Sequence, residues 1–439
     1  MKSVKRGVTV LLTSSALALG GIFAVAQPSF AAQKPPVVVT FWESHSASNQ
    51  QGHAIASIVS LFNHNNPGMR VIVHVTPASA KALAAVQAGD PPVMAMIGHG
   101  PQYGYEQANA LVNLKPLIYG PDGFPKAQLK GIWPGVWQAE FTPAHQQFLF
   151  PVDVKVAEYY YNVNLWKAAG IKKTPATLSA LLADARLIQT RTHKVGMAAR
   201  MDHNDWLPMF YANGGQYFVP GHTNQLDLNS NAMKETILQV KAHDNAPGVK
   251  ILSYNTSFED FASGNLGILE NTADGYEMVR EDVGGKFPVG AFAVPSGTTG
   301  KSYTLYQGLS FVIFSHATAA QQHAAWTFIK YFDSPQGQAI WSVIGGEPPI
   351  SRADVPAMVK MAGPRFWKNP GPFVGTAIAL KELERGTVIH KIIGPAQSEV
   401  DNVIQTQIQE AVEGKESVSQ ALSAMESQGN SFLQGTAVQ

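Results

Sequence analysis

The sequence predicts an α/β protein with two lobes, on the basis of two observations. The chain has 439 residues, more than a single hydrophobic core usually organises, so at least two domains are expected. Near its start, Val37–Phe41 is an almost continuous apolar run, Gln50–Asn63 carries apolar residues at helical spacing, and Met69–Val75 is again strand-like. A strand, a helix and a strand in this order predict a parallel sheet, in which ligands bind beyond the carboxyl ends of the strands.

Composition and charge narrow the possible function classes. Hydrophobic residues make up 45% of the chain, and the formal net charge is +1. Such a small charge gives little long-range attraction for nucleic acid or an anionic membrane, so neither is expected as a partner. Charged residues are only 14% of the chain, compared with about 25% in a typical globular domain. One hypothesis is an acidic habitat, where carboxylates are neutral and further Lys and Arg would repel one another.

The first 31 residues have the pattern of a signal peptide. Two lysines and an arginine lie among the first six residues, and an apolar stretch over Val8–Ala26 follows. We predict cleavage after Ala31 and an extracytoplasmic location, in the periplasm, at the cell surface or secreted. An uncleaved anchor is the alternative, because the apolar stretch is nearly long enough to span a bilayer. The chain has no Cys, which excludes disulfides, thiolate metal sites and a lipid-modified Cys.

The middle of the chain predicts a strand, a break, a second strand and a short helix. The apolar run Phe148–Phe150 stops at Pro151, which cannot donate a ladder hydrogen bond. Tyr159–Tyr161 has strong strand character, and Asn162 can cap a helix over Leu165–Ala169.

Predicted strands and helices also alternate on both sides of this segment. The polar segment Asp202–Pro208 is predicted to precede an apolar helix that ends at Asn213-Gly214-Gly215. The other predicted elements are helices over Ala80–Ala88, Leu178–Gln189, Ala232–His243, Gln321–Tyr331, Glu399–Val412 and Val418–Leu433, and strands over Val93–Ile97, Phe287–Pro295 and Tyr303–Phe314.

Several of these segments resemble one protein family. The middle segment contains Pro151-Val152-Asp153 and then Tyr160-Tyr161-Asn162, and the first strand ends in Phe41-Trp42-Glu43-Ser44. Ser334-Pro335-Gln336 and Gly345-Gly346-Glu347-Pro348 follow in the expected order. Together they resemble family 1 of the extracellular solute-binding proteins of ABC importers, which includes the maltose- and glycerol-3-phosphate-binding proteins. The resemblance covers about residues 37–433, although Pro92 stands where the family usually has Asp.

The resemblance implies a periplasmic-binding-protein-like fold. Two lobes are expected, each a central sheet flanked by helices, joined by a hinge in which the chain crosses several times. The expected division is a first lobe over 37–150 and 303–354, a hinge over 151–158, and a second lobe over 159–298 and 355–439.

The resemblance also implies the substrate-binding component of an ABC importer. Such a protein captures a monosaccharide, oligosaccharide or polyol between its lobes and delivers it to a permease, as a monomer and without a cofactor. Glycerol-3-phosphate or a glycerophosphodiester is an alternative ligand, because the pattern is closer to that branch. Where that branch has a cleft arginine, this chain has Lys391 or a neighbour, which puts phosphate in doubt.

Two other function classes stay open at this point. One is a secreted carbohydrate-active enzyme, because spacing alone does not separate a catalytic pair of carboxylates from other acidic residues. The other is a surface adhesion module that binds polymers. The sequence has no Gly-x-Ser-x-Gly elbow, no His-Glu-x-x-His and no phosphate-binding loop with Gly-Lys-Thr, so a binding protein is preferred to an enzyme.

A sugar site needs aromatic rings to stack on C–H faces, and carboxylates or amides to accept hydroxyl protons. Trp206 is the strongest stacking candidate, whereas Trp42 fits core packing equally well and His99 fits a structural role better. Lys155 is explained equally well by an ion pair with Asp153. The predicted ligand contacts are Trp42, Glu43, Ser44, His45, His99, Asp153, Asn204, Trp206, Asn271, Tyr306, Gly308 and Glu347.

Overall fold

The fold is known from a computed structural model, which describes residues 34–99, 105, 108–142, 145–200, 202–222, 224–297, 299–385, 388–389 and 396–435. The predicted signal peptide over 1–31 and Lys391 lie outside the described residues. Tertiary contacts separate Met1–Pro35 from one unit formed by Pro36–Gln439, and the fold below is that of the second unit. Within the described residues, no helix combines the length and the apolar character that a membrane crossing needs.

The elements alternate between strands and helices. The strands are β1 Val37–Glu43, β2 Met69–Val75, β3 Met94–Gly98, β4 Phe150–Pro151, β5 Ala157–Asn162, β6 Val195–Ala199, β7 Val249–Ile251, β8 Leu266–Thr272, β9 Val289–Ala293, β10 Thr304–Leu305, β11 Leu309–Ile313 and β12 Val388–Ile389. The α-helices are α1 Gln50–Asn65, α2 Ala78–Ala88, α3 Lys115–Tyr119, α4 Lys126–Gly131, α5 Pro134–Ala139, α6 Val163–Ala168, α7 Leu178–Thr192, α8 His203–Ala212, α9 Asn231–Asp244, α10 Tyr254–Ala262, α11 Tyr276–Val283, α12 Ala319–Phe332, α13 Pro335–Gly345, α14 Val355–Ala362, α15 Val374–Arg385, α16 Gln397–Val412 and α17 Val418–Gly435.

The strands form two five-stranded sheets that both mix parallel and antiparallel pairs, and β10 and β12 form a separate parallel pair. The first sheet has the order β2-β1-β3-β11-β4 and the second has the order β7-β6-β8-β5-β9. β1 pairs in parallel with β2, with Val37 opposite Met69, so the predicted β-α-β unit is confirmed. Two sheets, each flanked by helices, confirm the predicted two-lobed α/β fold.

Aromatic side chains fill the core of the first lobe. Phe41 on β1 lies 5.7 Å from Phe328 on α12, measured between ring centroids. Phe311 on β11 lies 5.1 Å from Phe332 on the same helix. All four side chains are fully buried, and each burial of this size stabilises the fold by roughly 1.5–3 kcal/mol.

The second lobe has a sheet core and a separate helical core. Tyr159 stacks on Phe292 at 5.4 Å, whereas its neighbour Tyr160 contacts Tyr276 at 5.5 Å, because consecutive strand residues point to opposite faces. The helical core is formed by α8, α9, α16 and α17, and Trp206 is one of its members.

Polar caps fix where two of the second-lobe helices begin. The Asn162 side chain accepts hydrogen bonds from the Asn164 and Leu165 N–H groups at 2.9 and 3.2 Å, which confirms the predicted cap of α6. Asp202 accepts a hydrogen bond from the Asn204 N–H at 2.8 Å and so caps α8.

The predicted start of this helix after Pro208 is wrong. Helix α8 begins at His203 and contains Pro208, because the Asp202 cap lies before the proline and starts the helix ahead of it. A proline inside a helix removes one backbone donor, but this part of α8 is held by burial of its apolar face, including Trp206 and Leu207.

Two chain segments cross between the lobes side by side. Residues 152–156 join β4 to β5, and residues 306–308 join β10 to β11. The Gln307 N–H donates to the Lys155 carbonyl at 3.1 Å, which ties the crossings together. The predicted single strand over Tyr303–Phe314 is wrong, because the second crossing divides it into β10 and β11.

The division of the chain into lobes by residue number stays a prediction. Helix α14, just beyond the boundary expected after residue 354, places Met358 in the core of the first lobe. On the following helix, α15, the backbone at Gly375 approaches Ala273 at the edge of the second sheet. Leu380 on α15 belongs to the same buried cluster as Met358, so α15 contacts both lobes.

Gly308 makes the second crossing sensitive to substitution. A Cβ atom there would lie 2.3 Å from Cε2 of the buried Tyr306 ring, whose hydroxyl donates to the Asp153 carbonyl at 3.2 Å. We expect Gly308→Ala to lower the free energy of unfolding by roughly 1–3 kcal/mol through overpacking, as measured by urea denaturation. Gly68→Ala is the control, because a Cβ there meets nothing within 4 Å; equal stability of the two variants would contradict the prediction.

Candidate ligand-binding cleft

The loops that follow the parallel strands of both sheets border the crossings. In the first sheet, β1 ends at Glu43, and Gly98 at the end of β3 lies opposite Leu309 at the start of β11. In the second sheet, Thr272 at the end of β8 lies opposite Ala157, the first residue after the first crossing. Carboxyl ends of strands from both sheets therefore border one cleft at the hinge, where α/β proteins bind ligands.

Lys155 on the first crossing is the centre of an ion cluster that joins the lobes. Its Nζ atom lies 3.5 Å from Asp274 Oδ2, 3.5 Å from Glu347 Oε1 and 3.9 Å from Asp153 Oδ2. Asp274 follows β8 in the second lobe, whereas Glu347 follows α13 in the first. Asp153 is fixed by the Leu309 N–H, which donates to its Oδ1 at 2.6 Å. We call Lys155, Asp153, Asp274 and Glu347 the lysine cluster.

Carboxylates outnumber the cation in the lysine cluster. Asp153 and Glu347 are fully buried, and burial raises the pKa of both carboxyls. Burial also disfavours the charged form of Lys155, but the attraction of Glu347, Asp274 and Asp153 is greater and holds the pKa of Lys155 well above its usual value. Asp153 Oδ2, Asp274 Oδ1 and Glu347 Oε2 have no hydrogen-bond partner in the described part of the chain.

The first-lobe wall carries two His–Glu pairs. His45 Nδ1 lies 3.1 Å from Glu43 Oε2, which also accepts the His45 backbone N–H at 2.5 Å. His99 Nε2 lies 3.0 Å from Glu140 Oε1, and the Ser310 hydroxyl donates to the same oxygen at 3.0 Å. Both glutamates are buried and both histidines are partly exposed, so the histidine rings are the parts of these pairs that a ligand can reach.

The second-lobe wall is centred on Arg200, which directly follows β6. Its Nη2 atom lies 3.3 Å from Glu270 Oε2, and its Nε atom lies 3.7 Å from Asp202 Oδ2. Its backbone N–H donates to Asp205 Oδ2 at 3.0 Å. The guanidinium also lies over the Tyr254 ring, 5.7 Å from the centroid. We call Arg200, Asp202, Asp205 and Glu270 the arginine cluster, which like the lysine cluster has three carboxylates and one cation.

A pocket of about 300 Å³ adjoins this wall. It lies between the second sheet and α8, and its lining includes the polar side chains of Asn204, Asp205 and Glu270 and the rings of Tyr159 and Tyr303. Its volume is at the lower end of the range for small-molecule sites, about 300–1,000 Å³. Because Glu270 belongs to both the pocket and the arginine cluster, the pocket extends the second-lobe side of the cleft.

A comparison with known protein families identifies the family of this chain. A profile described as bacterial extracellular solute-binding protein matches residues 57–371. The chain belongs to this family. A sequence comparison with curated proteins gives no match. The hinge cleft of this solute-binding protein is therefore the place where its ligand is to be sought.

Solved structures of solute-binding proteins share the fold. The cyclic α-maltosyl-1,6-maltose binding protein of Arthrobacter globiformis superposes with a TM-score of 0.77 and 19% identity, over 91% of this chain and 100% of that one. The GacH receptor of Streptomyces glaucescens gives 0.73 and 16%, over 91% and 99%. The sugar-binding protein MalE of Xanthomonas citri gives 0.74 and 17%, over 91% and 98%. At this identity the likeness establishes the fold alone.

Most of the predicted contact residues lie around the cleft, although their ligand role stays a prediction. Glu43, His45 and His99 are on the first-lobe wall, Asp153 and Glu347 are in the lysine cluster, and Asn204 lines the pocket. Asn271 precedes Thr272 at the end of β8 and is buried; its Oδ1 accepts the Thr272 N–H at 2.8 Å. Tyr306 and Gly308 form the second crossing, and Ser44 is exposed after β1.

The two predicted tryptophans lie apart from the cleft side chains. Trp206 is only 2% exposed and packs in the helical core, 6.4 Å from Tyr217, with its indole N–H donating to Gln405 at 3.3 Å. In this position Trp206 has no free ring face for a sugar. Trp42 is partly buried against a small cluster that contains Ile97 and Leu149, which agrees with its core interpretation.

Sequence reasoning missed Arg200 and Tyr254 and placed Asp274 only within a cleft loop. Arg200 directly follows β6, and Tyr254 follows β7 after a short loop, so both lie at the carboxyl edge of the second sheet. That position was the available signal, because the residues after parallel strands converge on the ligand side. Among the described residues, no group of three or more His, Asp or Glu side chains has an arrangement that could hold a metal ion.

Proposed function

We propose that this solute-binding protein is the extracytoplasmic component of an ABC importer, and that it captures a carbohydrate or polyol in the hinge cleft. The observation that carries the proposal is the lysine cluster. Its carboxylates come from the first lobe, the crossing and the second lobe, so one ligand can contact all three. A monomer that delivers its ligand to a permease completes the proposed function.

Hydroxyl groups fit the unsatisfied acceptors of the cleft. Asp153 Oδ2, Asp274 Oδ1 and Glu347 Oε2 have no hydrogen-bond partner among the described residues, and a buried polar atom without a partner costs roughly 1–3 kcal/mol. A sugar or polyol hydroxyl donates to a carboxylate at little cost. The Tyr254 ring, 44% exposed at the rim, offers a face for the C–H groups of a sugar.

The charges of the cleft oppose a phosphate ligand. Lys155 Nζ lies 3.5–3.9 Å from three carboxylates, and the Arg200 guanidinium lies 3.3 and 3.7 Å from two, Glu270 and Asp202, so an anion at either cation would meet these negative charges. A phosphate site needs uncompensated Arg or Lys. The glycerol-3-phosphate alternative is therefore the weaker one, while Lys391 lies outside the described residues.

Structures with the same fold support the sugar class. One is a binding protein for cyclic α-maltosyl-1,6-maltose, and another is a receptor solved in complex with acarbose. Both ligands are polyhydroxylated and carry no phosphate. The proposal extends this class of ligand, without its exact identity, to the present chain.

Lobe closure is the proposed mechanism. A ligand that contacts Asp274 and Glu347 together bridges the lobes, and it favours a closed arrangement by its additional contacts there. The permease would then recognise the closed form. A carbohydrate-active enzyme would consume its ligand, whereas this protein should release it unchanged on denaturation.

A thermal-shift screen of sugars, polyols, glycerol-3-phosphate and glycerophosphodiesters tests the proposal. At a hundred times its dissociation constant, a ligand adds about 2.7 kcal/mol of stability, so a true ligand should raise the melting temperature clearly. We expect a hit among the uncharged or amino-bearing polyhydroxyl compounds, recovered intact. A shift with the phosphate compounds alone, or with no compound, would contradict the proposal.

Replacing Tyr254 by alanine tests the cleft rim. We expect roughly tenfold weaker binding of any hit, since a stacked ring contributes about 0.5–1.5 kcal/mol, with only a small loss of stability in the absence of ligand, from the contact with Arg200. Tyr119→Ala, at another exposed tyrosine (57%), is the matched control. Equal affinities of the two variants, measured by calorimetry, would remove Tyr254 from the site.

A further inference from the structure

The lysine and arginine clusters share an excess of acidic groups over cations. Together they hold six carboxylates and two cations, whereas the chain as a whole has 31 acidic residues against 32 Lys and Arg. The excess is therefore a local property of the cleft. Local charge of one sign in a partly enclosed space attracts a ligand of the opposite sign.

Buried carboxylates without enough counter-charge lower the stability of a fold. Asp153 and Glu347 are 0% exposed, and each has an oxygen without a hydrogen-bond partner among the described residues. A charge that is buried and incompletely paired costs several kcal/mol. In the proposed closed form, a cation from the ligand would supply the pairing that the protein itself leaves incomplete.

We propose that the ligand carries a primary ammonium group beside its hydroxyls, as an amino sugar does. This proposal rests on the proposed function and names the class of carbohydrate. The ammonium lies against the lysine cluster, where Asp153 Oδ2, Asp274 Oδ1 and Glu347 Oε2 have no hydrogen-bond partner among the described residues and can accept its protons. Ring hydroxyls contact the remaining groups of the two walls.

An ammonium group fits this position better than a further hydroxyl. It has three donors and no acceptor, which matches three acceptor oxygens that come from different elements. Hydrogen bonds in which both groups are charged are about twice as strong as those between neutral groups. The exposed Tyr254 ring at the rim can also attract a cation through its face.

Calorimetry with matched sugars tests this proposal separately from the proposed function. The 2-amino, 2-acetamido and 2-hydroxy forms of glucose, galactose and mannose, and their β-1,4-linked dimers, are titrated at about pH 6, where the amine is protonated. A linear diamine, putrescine, tests for charge without hydroxyls. We expect at least one amino sugar to bind roughly tenfold or more tightly than both of its neutral forms.

The other outcomes overturn the proposal in different ways. If a hydroxyl or acetamido form binds as tightly as the amino form in every series that binds, the ammonium is wrong while the carbohydrate function stands. If putrescine binds more tightly than every sugar, or if nothing binds, both proposals are wrong.

A charge-neutralising variant locates the ammonium. Glu347→Gln removes one carboxylate from the lysine cluster and keeps its size, so the ratio of amino-sugar to neutral-sugar affinity should fall about tenfold. Glu384→Gln is the control, because Glu384 is exposed and pairs with Arg352 at 2.8 Å on the surface. An unchanged ratio in a folded Glu347→Gln protein would overturn the proposed position.

Discussion

Replacing Trp206 by alanine is expected to lower the free energy of unfolding by about 3–5 kcal/mol and to leave ligand affinity unchanged. The side chain is 2% exposed within the helical core of the second lobe. The substitution removes its ring contacts there and leaves the Gln405 acceptor without the indole N–H. Chemical denaturation gives the stability change, and calorimetry with a ligand from the thermal-shift screen gives the affinity.

Trp367→Ala is the matched control for this prediction. Trp367 is 52% exposed, so its removal should cost at most about 1 kcal/mol. A Trp206→Ala protein with full stability and greatly weakened binding would instead return Trp206 to the ligand site. Comparable losses of stability in both variants would contradict the role of burial.

The second large effect is a loss of stability as the pH rises. Asp354 is 0% exposed, and neither of its carboxyl oxygens has a hydrogen-bond partner in the described part of the chain. Burial raises the pKa of Asp354 from 3.8 to about 7. Since the folded state holds the proton more tightly than the unfolded chain, the contribution is fully present below pH 3.8 and is lost as the pH rises through about 7. The loss from this one group is about 4 kcal/mol.

Asp354→Asn should remove this part of the pH dependence. The variant is expected to be more stable than the original protein at about pH 8, and to have a flatter stability profile between pH 3.8 and about 7. Melting temperatures across this range provide the measurement. Asp90→Asn, at an exposed position, is the control, and parallel profiles of the Asp354 variant and the original protein would contradict the assignment.

Other buried carboxyls are also expected to lower the stability of the fold as the pH rises. Burial raises the pKa of Asp333, Glu158 and Glu270 well above its usual value, so these groups also favour the folded state at low pH. The expected profile agrees with the acidic-habitat hypothesis that the low content of charged residues suggested. A profile that falls below about pH 5 would contradict that hypothesis.

The sequence by itself determined the local elements. The strand-like pattern of Met69–Val75 predicts β2 with the bounds that the structure shows. The Asn162 side chain caps α6 by accepting hydrogen bonds from N–H groups only two and three residues away. Such features depend on interactions within a few residues, so a single sequence is enough to find them. The order of the family-like segments was also sufficient to predict the two-lobed fold.

Only the tertiary structure decided which side chains meet. The family resemblance implied a cleft aromatic at Trp206, but the Asp202 cap and packing with α16 and α17 place its ring in the core. Asp274 and Glu347 are far in the chain from Asp153 and Lys155, and the crossings and strand ends bring the four together at the hinge. The physical reason is that burial and charge pairing depend on distances in space. Local sequence patterns do not fix these distances between residues that lie on different elements.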